Sequence, residues 1–164
     1  MLRLLQGDVG SGKTIVAAAA SLRAIGAGFQ VALMAPTELL AEQHHMAFEK
    51  WFRTLDIKVG CLSAKTKGKS RENLVKAISD GTCKFISGTH ALFQEKVHYH
   101  KLGLIIVDEQ HRFGVHQRLA LKNKALRMKI SPHQLMMTAT PIPRTLAMSA
   151  YANLDNSVIN ELPP

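Results

Sequence analysis

Gly7-Asp8-Val9-Gly10-Ser11-Gly12-Lys13-Thr14 (GDVGSGKT) follows a short apolar run, Leu2 to Gln6, and leads into a helical stretch, Lys13 to Ala27. The pattern is G-x-x-x-x-G-K-[ST]. A strand before it and a helix after it are the setting of a phosphate-binding loop. In that setting the backbone N–H groups of Gly10, Ser11 and Gly12 line a nest for phosphate oxygens. The helix beginning near Lys13 adds the positive end of its dipole. Lys13 is placed for the β- and γ-phosphates and the Thr14 hydroxyl for Mg²⁺. Glycines belong here because side chains block close backbone approach. The whole loop, Gly7 to Thr14, is therefore the expected nucleotide site. A chance Gly-rich turn is the plain alternative, and the flanking strand and helix argue against it.

Outward from the loop, apolar runs alternate with amphipathic segments. Val31 to Ala35, Lys58 to Leu62, Lys84 to Ser87, Leu104 to Val107 and Leu135 to Met137 read as strands. Lys13 to Ala27 reads as a helix with Ile15, Leu22 and Ile25 on one side and an Ala run between. Leu39 to Thr54 reads as a helix carrying Leu40, Phe48, Trp51 and Phe52. Ser70 to Asp80 reads as a helix with Ser70 as its N-cap, after a basic loop from Ser63 to Lys69. Pro143 to Asn153 reads as a further helix. Continuous apolar strands separated by helices predict an α/β fold: a mostly parallel central sheet with helices on both faces.

In such sheets ligands sit at the carboxyl ends of the strands, and the polar clusters fall there. Asp108-Glu109 follows Leu104-Ile105-Ile106-Val107. At the end of a strand beside the P-loop strand, Asp108 is placed to hold Mg²⁺ through water. Glu109 is placed to orient and deprotonate a water attacking the γ-phosphate. Thr138-Ala139-Thr140-Pro141 offers two hydroxyls to the pair Gln110-His111. Pro36-Thr37-Glu38 and Gly88-Thr89-His90 offer N–H and hydroxyl groups to a phosphate backbone, although N-capping by Thr37 explains the first equally well. His44-His45 and His98-Tyr99-His100 have no Cys or carboxylate beside them to complete a metal-ligand set.

The chain has 164 residues, 46% of them hydrophobic, and a net charge of +9. Length and composition suit one folded domain, and the charge suits a polyanionic partner. The charge is clustered. Lys58, Lys65, Lys67, Lys69 and Arg71 lie in a stretch without acids, as do Arg112, Arg118, Lys122, Lys124, Arg127, Lys129 and Arg144. Cys61 and Cys83 have no disulfide or zinc spacing, which fits a reducing cytosol. No apolar run approaches the ~18 residues that suggest a membrane span.

The order GDVGSGKT, PTELLAEQ, GTH, DEQH, TATP resembles the motif series in the first RecA-like lobe of the superfamily 2 helicases. Asp108 to Arg118 (DEQHRFGVHQR) and Thr138 to Met148 (TATPIPRTLAM) are similar to bacterial ATP-dependent DNA helicases that remodel branched DNA, and the likeness runs over essentially the whole chain. The related transcription-repair coupling translocases usually carry DEEH where this chain has Gln110. The resemblance implies a RecA-like P-loop NTPase lobe over residues 1–156, with 157–164 starting a linker to a second lobe. It implies a translocase on double-stranded DNA that uses ATP and Mg²⁺ on stalled forks and Holliday junctions, in the bacterial cytoplasm. Lys13 and Thr14 become the P-loop pair, Asp108 and Glu109 the Mg²⁺ and catalytic acids, and Gln110, His111, Thr138 and Thr140 the link between nucleotide and DNA. Thr37, Gly88 and Thr89 fall in the segments that touch the DNA backbone. The family's wedge domain, adenine-gripping segment and second lobe with its arginine finger have no counterpart in this sequence. An isolated lobe is therefore expected to turn over very little ATP.

Two other classes compete. The first is a P-loop GTPase or small-molecule kinase: a GTPase needs N-K-x-D, and Asn123-Lys124-Ala125-Leu126 fails at its last position, while a kinase does not explain DEQH or TATP. A non-catalytic DNA-binding module predicts DNA affinity indifferent to nucleotide and to Lys13→Ala.

Overall fold

A computed structural model describes residues 1–109, 131–140 and 154–160. In chain order the elements are β1 (Leu2–Gly7), α1 (Lys13–Gly26), β2 (Gln30–Met34), α2 (Glu38–Phe52), β3 (Val59–Leu62), α3 (Gly68–Ser79), β4 (Phe85–Gly88), β5 (Leu102–Asp108), β6 (His133–Thr138) and β7 (Asp155–Ile159). Short 3-10 turns cover Arg53–Leu55 and His90–Phe93. The strands form one sheet in the order β3-β4-β2-β5-β6-β1-β7. Every neighbouring pair is parallel, as expected of strands that are apolar on both faces.

The pleat divides the strand residues between two cores. Leu33, Ile106, Leu135 and Phe85 pack with α1 and α2 on one face. Ala32, Ile86, Ile105 and Val107 pack with α3 and the His90–Phe93 turn on the other. Leu102 shares the second face with Ile105 and Val107 although its parity differs. The register slip between Gln30 and Val31 explains this, because it skips Gly103. On α2, Phe48 stacks on Phe85 with ring centroids 4.1 Å apart and meets Phe52 edge-on at 5.3 Å. These aromatic pairs clamp α2 to the sheet.

Four expectations need correction. The packing face of α1 is built from Ala17, Ala18 and Ser21, with Ala20, Ala24 and Ile25 packed at its margin, while Ile15 is 64% exposed; small side chains let the helix lie close to the sheet. The third helix starts at Gly68 with Lys67 as N-cap and no capping side chain, so Ser70 lies inside its first turn. The Asp108 strand does not adjoin the P-loop strand, because β6 lies between them. Finally, Asp155–Ile159 pairs with β1 from Arg3 to Gly7 as the edge strand. Its three leading polar residues, Asp155, Asn156 and Ser157, on a half-exposed edge concealed that strand from the apolar-run reading. The helix expected at Pro143 to Asn153 lies outside the described residues.

Candidate functional site

The sheet order sets the polar clusters side by side along one edge: Gly88-Thr89 after β4, Thr37 after β2, Asp108-Glu109 at β5, Thr138-Ala139-Thr140 at β6 and Gly7–Thr14 after β1. Register keeps their ends level, pairing Asp108 with Met137 and Thr138 with Gln6. One strand separates Asp108 from the loop, so the two stand roughly 10 Å apart across the edge.

The loop has a phosphate cradle's conformation. Gly10 and Gly12 take φ of 84° and 90°, values that L side chains adopt only at a cost. Gly12 is the N-cap of α1, no side chain caps the helix, and its first turn holds no acid. The Ile15 N–H donates to the Gly12 carbonyl at 2.9 Å and the Ser11 N–H to the Asp8 carbonyl at 3.1 Å, which leaves the Lys13 and Thr14 N–H groups at the helix start for an anion. The buried Ser11 hydroxyl has no hydrogen-bond partner, which leaves a further polar atom for an oxyanion. Lys13 Nζ donates to the carbonyls of Gly7 and Asp8 at 2.6 and 2.7 Å. That geometry holds the ammonium over the loop while its third proton stays available. Glycine curvature, uncapped donors and the ammonium fit a polyphosphate.

Asp108 and Glu109 have separate partners. Asp108 Oδ2 meets His44 Nε2 of α2 at 2.8 Å, and both side chains are nearly buried. Glu109 has a left-handed φ of 50°. Its N–H donates to the Met137 carbonyl at 2.9 Å, and its Oε1 accepts from the Ala139 N–H at 3.2 Å. Its Oε2 accepts from the Thr138 hydroxyl at 3.5 Å. The Thr138 and Thr140 hydroxyls lie 2.9 Å apart. Thus Glu109 is held by the Thr138 hydroxyl and the Ala139 N–H, with Thr140 bonded to Thr138. Their expected partners Gln110 and His111 lie outside the described residues. Among the described residues no three His, Cys, Asp or Glu side chains form a metal cluster.

The segments expected to touch DNA differ in exposure. Thr37 is exposed, and its hydroxyl also caps α2 by accepting from the Leu40 N–H at 3.3 Å. Thr89 is buried. Gly88 is packed so closely that a Cβ there would lie 2.4 Å from the Leu62 carbonyl oxygen. The basic loop before α3 is tied to α2, with Ala64 N–H donating to Glu38 at 2.7 Å and Lys65 paired with Glu42 at 2.8 Å. That pairing raises the Lys65 pKa. Sequence reading missed His44 as a partner of Asp108, which lies 64 residues away. The available signal was the spacing Ala41, His44, Phe48, which puts the imidazole on the buried face of α2.

Residues 3–149 match the family model of the DEAD/DEAH box helicases. The full chain is 65% identical to the ATP-dependent DNA helicase RecG of Escherichia coli K12 and 62% identical to that of Haemophilus influenzae. It spans about a quarter of the length of these relatives, 24% in each case. Among solved structures, RecG bound to a three-way DNA junction matches 99% of the chain and 21% of that protein, with a TM-score of 0.80 and 42% identity. The DNA-bound helicase MrfA shares the fold, with a TM-score of 0.78 at 18% identity over 98% of this chain and 25% of its own.

Proposed function

Because the chain belongs to the DEAD/DEAH box helicase family, we propose that it is the ATP-binding motor lobe of a double-stranded DNA translocase. That translocase remodels branched DNA, such as stalled forks and Holliday junctions, in bacterial cytoplasmic repair and recombination. The observation that carries this reading is the alignment of the cradle, Asp108, Glu109 and the threonine pair at adjacent strand ends. The 65% identity to a named DNA helicase supports the choice of nucleic acid.

In this reading Gly7 to Thr14 wrap the phosphates of ATP, and Lys13 exchanges its carbonyl partners for β- and γ-phosphate oxygens. Thr14 and Asp108 hold Mg²⁺, whose charge offsets that of the phosphates. Glu109 takes a proton from the attacking water. Thr138 and Thr140, with Gln110 and His111, carry the state of that carboxylate toward the DNA side. Thr37 offers its exposed hydroxyl to a phosphate, while Gly88 and Thr89 shape the strand end beside it. We place a wedge domain and a second RecA-like lobe elsewhere in the same protein, the latter supplying an arginine finger worth about 10³–10⁵ in rate. The lobe then extends through β7 before a linker.

The test is ATP hydrolysis by this chain with and without a three-way DNA junction. Very slow turnover, little changed by DNA, is expected of a lobe without its arginine finger. Robust junction-stimulated turnover by the chain alone overturns that division of labour, and a preference for GTP overturns the family's nucleotide.

A further inference from the structure

His44 carries a role that the motif series does not assign. We propose that His44 is a positioning residue that fixes the Asp108 carboxylate for Mg²⁺, an inference that rests on the ATP-site reading above. An ionised carboxylate only accepts hydrogen bonds, so His44 Nε2 carries the proton and donates to Oδ2 at 2.8 Å. It is the sole side-chain partner of Asp108 among the described residues. The contact consumes one oxygen and leaves Oδ1 for the metal or its water. Partners of this kind set the orientation and basicity of a ligating carboxylate.

The imidazole is held as firmly as the acid. Its side chain is 12% exposed, and its ring meets Phe48 edge-on at 6.4 Å. Phe48 is in turn stacked on Phe85 of β4. At the other end of α2, the Thr37 cap and the Glu38 contact to Ala64 fix the first turn. The donor is therefore presented to Asp108 from a helix clamped at both ends. A freely rotating surface histidine would instead lose side-chain entropy on making the same contact.

The experiment is calorimetric titration of ATP into the protein at stepped Mg²⁺ concentrations, for wild type, His44→Leu and His44→Gln. Leucine keeps bulk against Phe48 but donates nothing; the glutamine amide reaches about as far as Nε2 and donates. The Mg²⁺ concentration giving half-maximal enhancement of ATP binding should rise by about 10-fold or more in His44→Leu. Binding without Mg²⁺ should not change, and His44→Gln should recover most of the Mg²⁺ response. A wild-type Mg²⁺ midpoint in His44→Leu overturns the proposal. So does an equal loss of Mg²⁺-free binding in both variants, which assigns His44 to packing. If wild type itself shows no Mg²⁺-dependent ATP binding, the ATP-site reading fails and takes this one with it. If His44→Leu does not fold, a shifted midpoint in a folded His44→Gln overturns the proposal and an unshifted one supports it.

Discussion

The Glu109 carboxylate accepts a hydrogen bond from the Ala139 N–H at 3.2 Å, tying the acid after Asp108 to the end of β6. A non-glycine residue at φ 50° is strained by the order of 1–2 kcal/mol. The Met137 carbonyl, the Ala139 N–H and the Thr138 hydroxyl together hold it there. Strain retained at the one position where a water-activating carboxylate is expected argues that its direction matters more than local comfort.

Glu109→Gln should therefore leave nucleotide binding intact and slow hydrolysis by about 10²–10⁴-fold. The amide keeps the shape and the bond from Ala139 but removes the base. Single-turnover hydrolysis in the full-length protein, beside nucleotide titration, separates the two effects. Equal loss of both would mean that Glu109 holds the site together and does not act on water.

Gln30 is 1% exposed and satisfies four backbone groups. Its Nε2 donates to the carbonyls of Ile78 and Cys83 at 2.9 and 2.8 Å, and its Oε1 accepts from the N–H groups of His100 and Lys101 at 2.8 and 3.1 Å. One amide thus joins the end of α3 to the approaches of β4 and β5. Gln30→Leu leaves the Ile78 carbonyl its bond from the Gly81 N–H at 3.3 Å but strands the other three groups, at about 1–3 kcal/mol for each that finds no water. Denaturant unfolding should show a loss of at least about 3 kcal/mol. A loss below 1 kcal/mol would mean that water replaces the amide.

Burial pushes the Cys83 thiol up to about 11 from its ordinary 9.0, and burial also raises the Tyr99 phenol. In both cases the unfolded chain gives up its proton first, so stability falls as pH rises. The stability linked to the Cys83 thiol is fully present below pH 9 and drains away between 9 and about 11. Thermal unfolding across that window should show a falling midpoint, with a shallower slope in Cys83→Ala. An unchanged slope would assign the pH dependence to other groups.

How much was legible in advance depends on where the physics is local. The loop Gly7 to Thr14 was readable because phosphate binding is encoded in contiguous backbone and in one lysine. Leu104 to Val107 was readable because a strand buried on both faces must be apolar throughout. Strand order was not, which is why β6 came between β5 and β1: adjacency depends on crossovers that leave no local trace. The partners of Asp108 and Glu109 were equally hidden. Glu109 is held from β6 and Asp108 from α2, contacts between residues 30 and 64 positions apart that no local pattern announces. The edge strand β7 escaped because a half-exposed strand needs no apolar run. On α1 the size of Ile15 and Leu22 misled, since close approach to the sheet selected the alanines.

The central claim is a nucleotide site built on the loop between β1 and α1, and its most direct test is calorimetric titration of Mg²⁺–ATP into the chain beside Lys13→Ala. The account predicts saturable binding by the first that disappears in the second, because Lys13 is the loop's only ammonium and α1 offers its uncapped N-terminus to the same phosphates. Equal affinity in the two proteins would contradict it and reduce the loop to a structural turn.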